Sequence, residues 1–283
     1  MHLTQTLQDP SGLSKTILVA PDGARAEVYL RGAHLTSWIP AGGIEHIYLT
    51  PNSEFTSQSA IRGGVSIIFP QYSLTGPLQT HGFAQNMIWE LSGVEHQNGI
   101  LTAAYTLSDS PETIYEWAYS FQLELVITLG GNQLTLTLSI TNTGGDAFRF
   151  STALHAYFVV SDISNARIEG LKKLPYINQM DYGIENTQDD EWLFIDGKID
   201  RIYPNARPVI TLHDHQHALQ IGRRGYSDTA IWNPGFECNA AILDLRPEDY
   251  KNFICIKSAQ IFKPCRLSPE ESWQGTHTIK VIK

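Results

Sequence analysis

The chain has 283 residues, 42% of them hydrophobic, and a formal charge of −9. That length can bury a large core, and all-β domains commonly reach it, so residues 1–283 read as a single domain. The acidic balance argues against a nucleic-acid partner, which needs a basic surface.

No apolar run approaches the length of a membrane span, so no membrane association is expected. Met1-His2-Leu3-Thr4-Gln5-Thr6 has neither the basic nor the apolar region of a secretory signal. Cys238, Cys255 and Cys265 are odd in number and lack metal-ligand spacing. A disulfide framework is not expected, and a reducing, cytoplasmic setting is the default.

In chain order the sequence reads strand after strand. Residues 16–20 and 26–30 are β-type runs around the turn signal Pro21-Asp22-Gly23. Residues 35–39 follow, then Pro40 and Gly42-Gly43, and residues 50–59 have the polar, irregular look of a surface loop. From 121 to 140 apolar and polar residues alternate on both sides of Gly130-Gly131-Asn132. Period two around such a turn predicts a hairpin with one buried face. Gly144-Gly145-Asp146 turns the chain into a strand over 148–153, which puts His155 at or just past a strand end. Further strands are expected at 209–212, 218–221, 229–232, 253–257 and 278–282, with one helical turn at 247–250. Many strands between turn signals predict an all-β fold, a large antiparallel β-sandwich.

Several short windows concentrate chemistry. Ile61-Arg62-Gly63-Gly64-Val65, Phe69-Pro70 and His81-Gly82-Phe83-Ala84-Gln85-Asn86 set an arginine and a histidine beside glycines. Glycine lets backbone approach a ligand, and the guanidinium fork suits carboxylate, phosphate or paired hydroxyls. The same residues also fit two tight turns. Ala153-Leu154-His155-Ala156-Tyr157-Phe158 carries a second histidine, Ile199-Asp200-Arg201-Ile202-Tyr203 a carboxylate, and Ala230-Ile231-Trp232-Asn233-Pro234 an aromatic. In Asn252-Phe253-Ile254-Cys255-Ile256-Lys257, strand geometry puts Phe253, Cys255 and Lys257 on one face and the isoleucines on the other. His213, His215 and His217 would also share a strand face, where a metal could bind, but Asp214-His215-Gln216 reads as a solvated hairpin tip. No phosphate-cradling loop, nucleophile elbow or dinucleotide fingerprint is present.

Taken in order, from Leu30-Arg31-Gly32-Ala33 to Glu271-Ser272-Trp273, these windows resemble the aldose 1-epimerase superfamily, most closely its hexose-6-phosphate mutarotase branch. The resemblance implies a galactose mutarotase-like sandwich with a sugar or sugar phosphate in a groove on one concave face. A monomer or weak dimer is expected. Mutarotation needs one base, one acid and groups that hold hydroxyls, so the resemblance implies no metal and no cofactor. His155 matches the family's acid histidine, where the plain alternative is a core histidine bonded to backbone. His81 matches a sugar-contacting histidine, and the alternative is a turn residue. Asp200 matches a hydroxyl-binding aspartate; it could instead pair with Arg201. Trp232 would stack on the sugar, or merely fill core.

Two positions depart from the family pattern. Arg62 matches an arginine that helps hold the 6-phosphate, but its expected partner arginine is Gln85 here. A neutral amide cannot give the charge-assisted, bidentate bond, a loss of about 1.5–3 kcal/mol. The expected base glutamate is Lys257, which reverses the charge. A free lysine at neutral pH is protonated and no base. Three readings stay open: a desolvated, neutral Lys257 acts as base; Asp200 or Glu237 takes over; or the chain binds a sugar or anionic ligand without turning it over.

Overall fold

The computed structural model describes residues 4–53, 55, 61–181, 183–215, 217–239, 242 and 244–282. The chain starts with β1 (Thr4–Gln8), β2 (Ser14–Val19), β3 (Arg25–Tyr29), β4 (His34–Ile39) and β5 (Val65–Ile68). Next come β6 (Glu90–Gln97), β7 (Ile100–Ser108), helix α1 (Pro111–Glu116), β8 (Phe121–Gly130), β9 (Gln133–Asn142) and β10 (Phe148–Val159). Short strands follow: β11 (Arg167–Glu169), β12 (Pro175–Asn178), β13 (Ile184–Thr187), β14 (Trp192–Phe194) and β15 (Ile199–Tyr203). The last elements are β16 (Val209–His213), β17 (Ala218–Arg224), β18 (Asp228–Asn233), helix α2 (Gly235–Asn239), β19 (Phe253–Leu267) and β20 (Ser272–Val281).

Among the described residues these strands form two antiparallel sheets. One has eleven strands in the order β1-β2-β3-β4-β5-β10-β19-β18-β15-β12-β13; the other has nine, in the order β14-β11-β16-β17-β20-β9-β8-β7-β6. The sheets pack face to face as a large sandwich. Leu154, Ala156, Phe158, Ile254 and Ile256 from the first share a fully buried core with Leu125, Ile127, Leu136, Leu138 and Ile279 from the second. Each of these leucines, isoleucines and the phenylalanine contributes about 1.5–3 kcal/mol of burial free energy.

The hairpin read at 121–140 is β8 and β9, closed at Gly130↔Gln133 with Gly131 at φ +59. The face assignment at 253–257 also holds, since Ile254 and Ile256 enter the inter-sheet core while Phe253 and Cys255 pack on the opposite face. Four expectations need correction. β10 continues to Val159, so His155 lies mid-strand; its polar side chain interrupts the apolar pattern because this face meets the groove. β19 runs on to Leu267. Residues 247–250 give no α-helical turn, only a 3-10 turn at Asp249–Lys251. The sequence reading also passed over β1, β5, β6, β7, β11 to β15, α2 and α1, the last fixed by a capping box between Ser110 and Thr113.

The glycines of the Arg62 and His81 windows serve the fold. A Cβ on Gly64 (φ +71) would lie 2.4 Å from both His34 Nε2 and Leu35 O, and one on Gly82 (φ +70) would lie 2.2 Å from Phe69 O. Their close approaches are to the protein's own groups.

Candidate functional site

Strands β10, β19, β18 and β15 are consecutive neighbours in the larger sheet, and the face turned away from the core forms a hollow of about 730 Å³. Period two presents His155 and Tyr157 from β10, Lys257 from β19, Trp232 from β18, and Asp200 and Ile202 from β15. His155 and Lys257 are direct cross-strand partners, as are Asp200 and Trp232. Arg62 precedes β5 at one side, residues 72–75 and His81 close another, and Ile261, Phe262 and Pro264 supply an apolar edge.

His155 is almost fully buried, and its Nε2 has no hydrogen-bond partner among the described residues. Its ring stacks on Tyr157 at 4.7 Å between centroids and meets His81 and Trp232 edge-on at 6.1 and 6.4 Å. Burial, with the positive charges of Lys257 and Arg62 nearby, holds its pKa well below the usual histidine range. The imidazole is therefore neutral at physiological pH.

His81 is fixed by a two-way bridge. The Ser73 backbone N–H donates to His81 Nδ1 at 2.9 Å, and the His81 backbone N–H donates to Ser73 O at 3.0 Å. With Nδ1 accepting, the neutral ring carries its proton on Nε2. Burial and the charges of Lys257 and Arg62 push its pKa down to about 4.

Lys257 is 4% exposed. Its Nζ donates to Tyr72 Oη at 3.3 Å and lies 5.6 and 5.9 Å from the ring centroids of Tyr72 and Trp232. Burial pulls its pKa down, but Tyr72, Cys255, Asp200 and Tyr157 outweigh that and hold it above the ordinary lysine value. The reading of Lys257 as a neutral base is thereby disfavoured. Asp200 is held above the usual carboxylate range by burial, with Lys257 and Lys198 opposing. The alternative pairing of Asp200 with Arg201 does not form. Arg201 instead donates to Gln188 Oε1 at 3.1 Å and covers the Tyr176 ring at 4.4 Å.

Arg62 Nε donates to Asp244 Oδ1 and Oδ2, both at 3.1 Å, and the guanidinium also engages Tyr157. Burial opposes its charge, yet these partners keep it fully protonated.

Two expected positions fall elsewhere. Gln85 sits in the 3-10 turn Ala84–Asn86 and does not line the hollow. After His81 and Gly82, both at φ +70, the chain dives inward, and buried Phe83 and Ala84 carry Gln85 past the groove. Glu237 is exposed on α2 and also lies outside the lining, which leaves Asp200 as the carboxylate of that pair facing the hollow.

The tip expected at Asp214-His215-Gln216 does join β16 to β17, and the histidines on either side of it are held by the fold. His215 is exposed, but His213 bonds Glu169 at 2.9 Å, His217 is buried against the His46 ring at 4.9 Å, and Gln216 lies outside the described residues. Among the described residues no cluster of three or more metal-ligating side chains occurs. Sequence reasoning missed Tyr72 and Asp244, since no local pattern marks a residue that reaches its partner only through the fold.

Residues 15–280 match the family model for aldose 1-epimerase. The chain is 32% identical over 288 aligned positions to a protein of Cenchrus ciliaris named "Putative glucose-6-phosphate 1-epimerase", covering 98% of this chain and 88% of that one. An Escherichia coli protein of the same name is 28% identical, with 94% and 90% covered. A crystal structure of a "putative mutarotase" from Salmonella typhimurium superposes with a TM-score of 0.92 at 27% identity, over 100% of this chain and 95% of that one.

Proposed function

The chain belongs to the aldose 1-epimerase family, and on that premise we propose that it interconverts the α and β anomers of a hexose or hexose phosphate. The observation that carries this reading is the direct pairing of His155 with Lys257 across two strands, both facing one hollow. The relatives named above for glucose 6-phosphate support the substrate class.

The charge states favour exchanged roles relative to the pattern the resemblance implies. Neutral His155 takes the proton of the anomeric hydroxyl. The C1–O5 bond breaks with its electron pair on O5, and the Lys257 ammonium gives O5 a proton. The open-chain aldehyde turns about C1–C2, and closure returns both protons. Asp200 accepts from adjacent hydroxyls, His81 donates through Nε2–H, and Trp232 covers the apolar sugar face.

Anomer exchange measured by NMR on a panel of hexoses and hexose 6-phosphates tests this. Exchange above the uncatalysed rate is expected, with loss in both His155→Asn and Lys257→Met. Exchange at the uncatalysed rate for every sugar would rule it out. A second reading, a sugar binder without turnover, is favoured by one observation: an ammonium stands where a base carboxylate is expected. Thermal stabilisation by sugars without faster exchange would select it.

A further inference from the structure

We infer that Lys257 is an anion subsite placed at the reacting end of the sugar, and that the preferred ligand bears a carboxylate on its anomeric carbon, as in the pyranose form of a 2-ulosonic acid. The inference rests on the proposed reading only for where the anomeric carbon lies.

The two cations of the hollow differ in what they still lack. Arg62 already holds both oxygens of Asp244. Lys257 is the more deeply buried, and its one hydrogen bond among the described residues goes to the Tyr72 hydroxyl. The faces of Tyr72 and Trp232 temper its charge; the Asp200 carboxylate acts on it from the same hollow, but among the described residues the two form no ion pair. A buried ammonium with donors to spare, opening on a cavity, calls for an anionic acceptor there. Position then restricts the ligand. Because Lys257 faces His155 across the strands, an anion on Nζ lies next to the atom whose proton His155 takes. A 6-phosphate hangs from C6, across the ring oxygen from the anomeric carbon, and its oxygens lie more bonds from that ring oxygen than those of a carboxylate on the anomeric carbon. A carboxylate on the anomeric carbon is one bond from the ring-oxygen linkage, so one ammonium can hold a carboxylate oxygen and protonate the ring oxygen together. Asp200, paired across the strands with Trp232, is left for the hydroxyls.

Calorimetric titration with 2-ketogluconate, its methyl ester, fructose and glucose 6-phosphate tests the subsite without needing turnover. The acid is expected to bind at least about ten-fold tighter than the ester and fructose, and tighter than glucose 6-phosphate. Lys257→Met should bring the acid-to-ester ratio near one, and Lys257→Arg should keep most of it. An ester that binds within about three-fold of the acid, a preference that survives Lys257→Met, or tighter binding of glucose 6-phosphate would overturn the inference. If Lys257→Met does not fold, the wild-type ratio and Lys257→Arg decide. Tight binding of the acid at an uncatalysed exchange rate would defeat the catalytic reading alone. Catalysed hexose exchange without an acid-to-ester difference would defeat the subsite alone.

Discussion

Each sheet of the sandwich buries a histidine, and the two surroundings have little in common. His277 on β20 of the nine-stranded sheet is sealed in the core, its ring near Phe158 and its Nδ1 on Ser258 Oγ at 2.7 Å. His155 of the eleven-stranded sheet has no such hydroxyl, but has a cation across the strand pair and open volume in front. Both have an Nε2 without a partner among the described residues, and burial pushes both pKa values down. Burial and a depressed pKa therefore do not mark a site by themselves. The difference lies in space for a ligand and in polar groups converging on it.

The sharpest way to break that comparison is His155→Asn, expected to lower anomer exchange by about 10²–10⁴-fold in an NMR assay while the protein stays folded. Next comes acid. His34, His46 and His277 each have a folded-state pKa near 4, chiefly from burial. The unfolded chain takes up these protons first as pH drops below about 6.5, so stability is full above that pH and is lost toward pH 4. Each contributes a slope of up to about 1.4 kcal/mol per pH unit, readable in urea midpoints. A flat midpoint across that window would contradict the assignment. Ser258→Ala leaves a buried acceptor or donor of His277 unmet. It should cost about 1–3 kcal/mol in urea unfolding while exchange stays within about two-fold. The smallest effect is expected at the edge of the hollow. Phe262 is 43% exposed, so Phe262→Ser should move the thermal midpoint by no more than about 0.5 kcal/mol allows.

What the sequence disclosed follows the range over which each signal acts. Alternation is local, so the β8–β9 hairpin and the shared face of Phe253, Cys255 and Lys257 could be read from neighbours in the chain. The same alternation was lost at His155, where a polar residue on a groove-facing position looks like a strand end. β7 escaped for the opposite reason, because its buried positions include small Ala103. Tyr72 and Asp244 could not be found this way. Tyr72 meets an ammonium 185 residues away, and Asp244 an arginine 182 residues away. Gln85 shows the limit of carrying a family position across: the type of residue is visible in the sequence, but the path of the turn that displaces it is not.

The paired bonds between Ser73 and His81 pin both feet of one excursion of the chain. Between those feet, Leu74 and Thr75 reach the mouth of the hollow. Gln71 braces the same excursion from within, its amide donating to Leu78 O and accepting from the Leu78 N–H, so the mouth of the hollow and the imidazole at its base are held by one clasp.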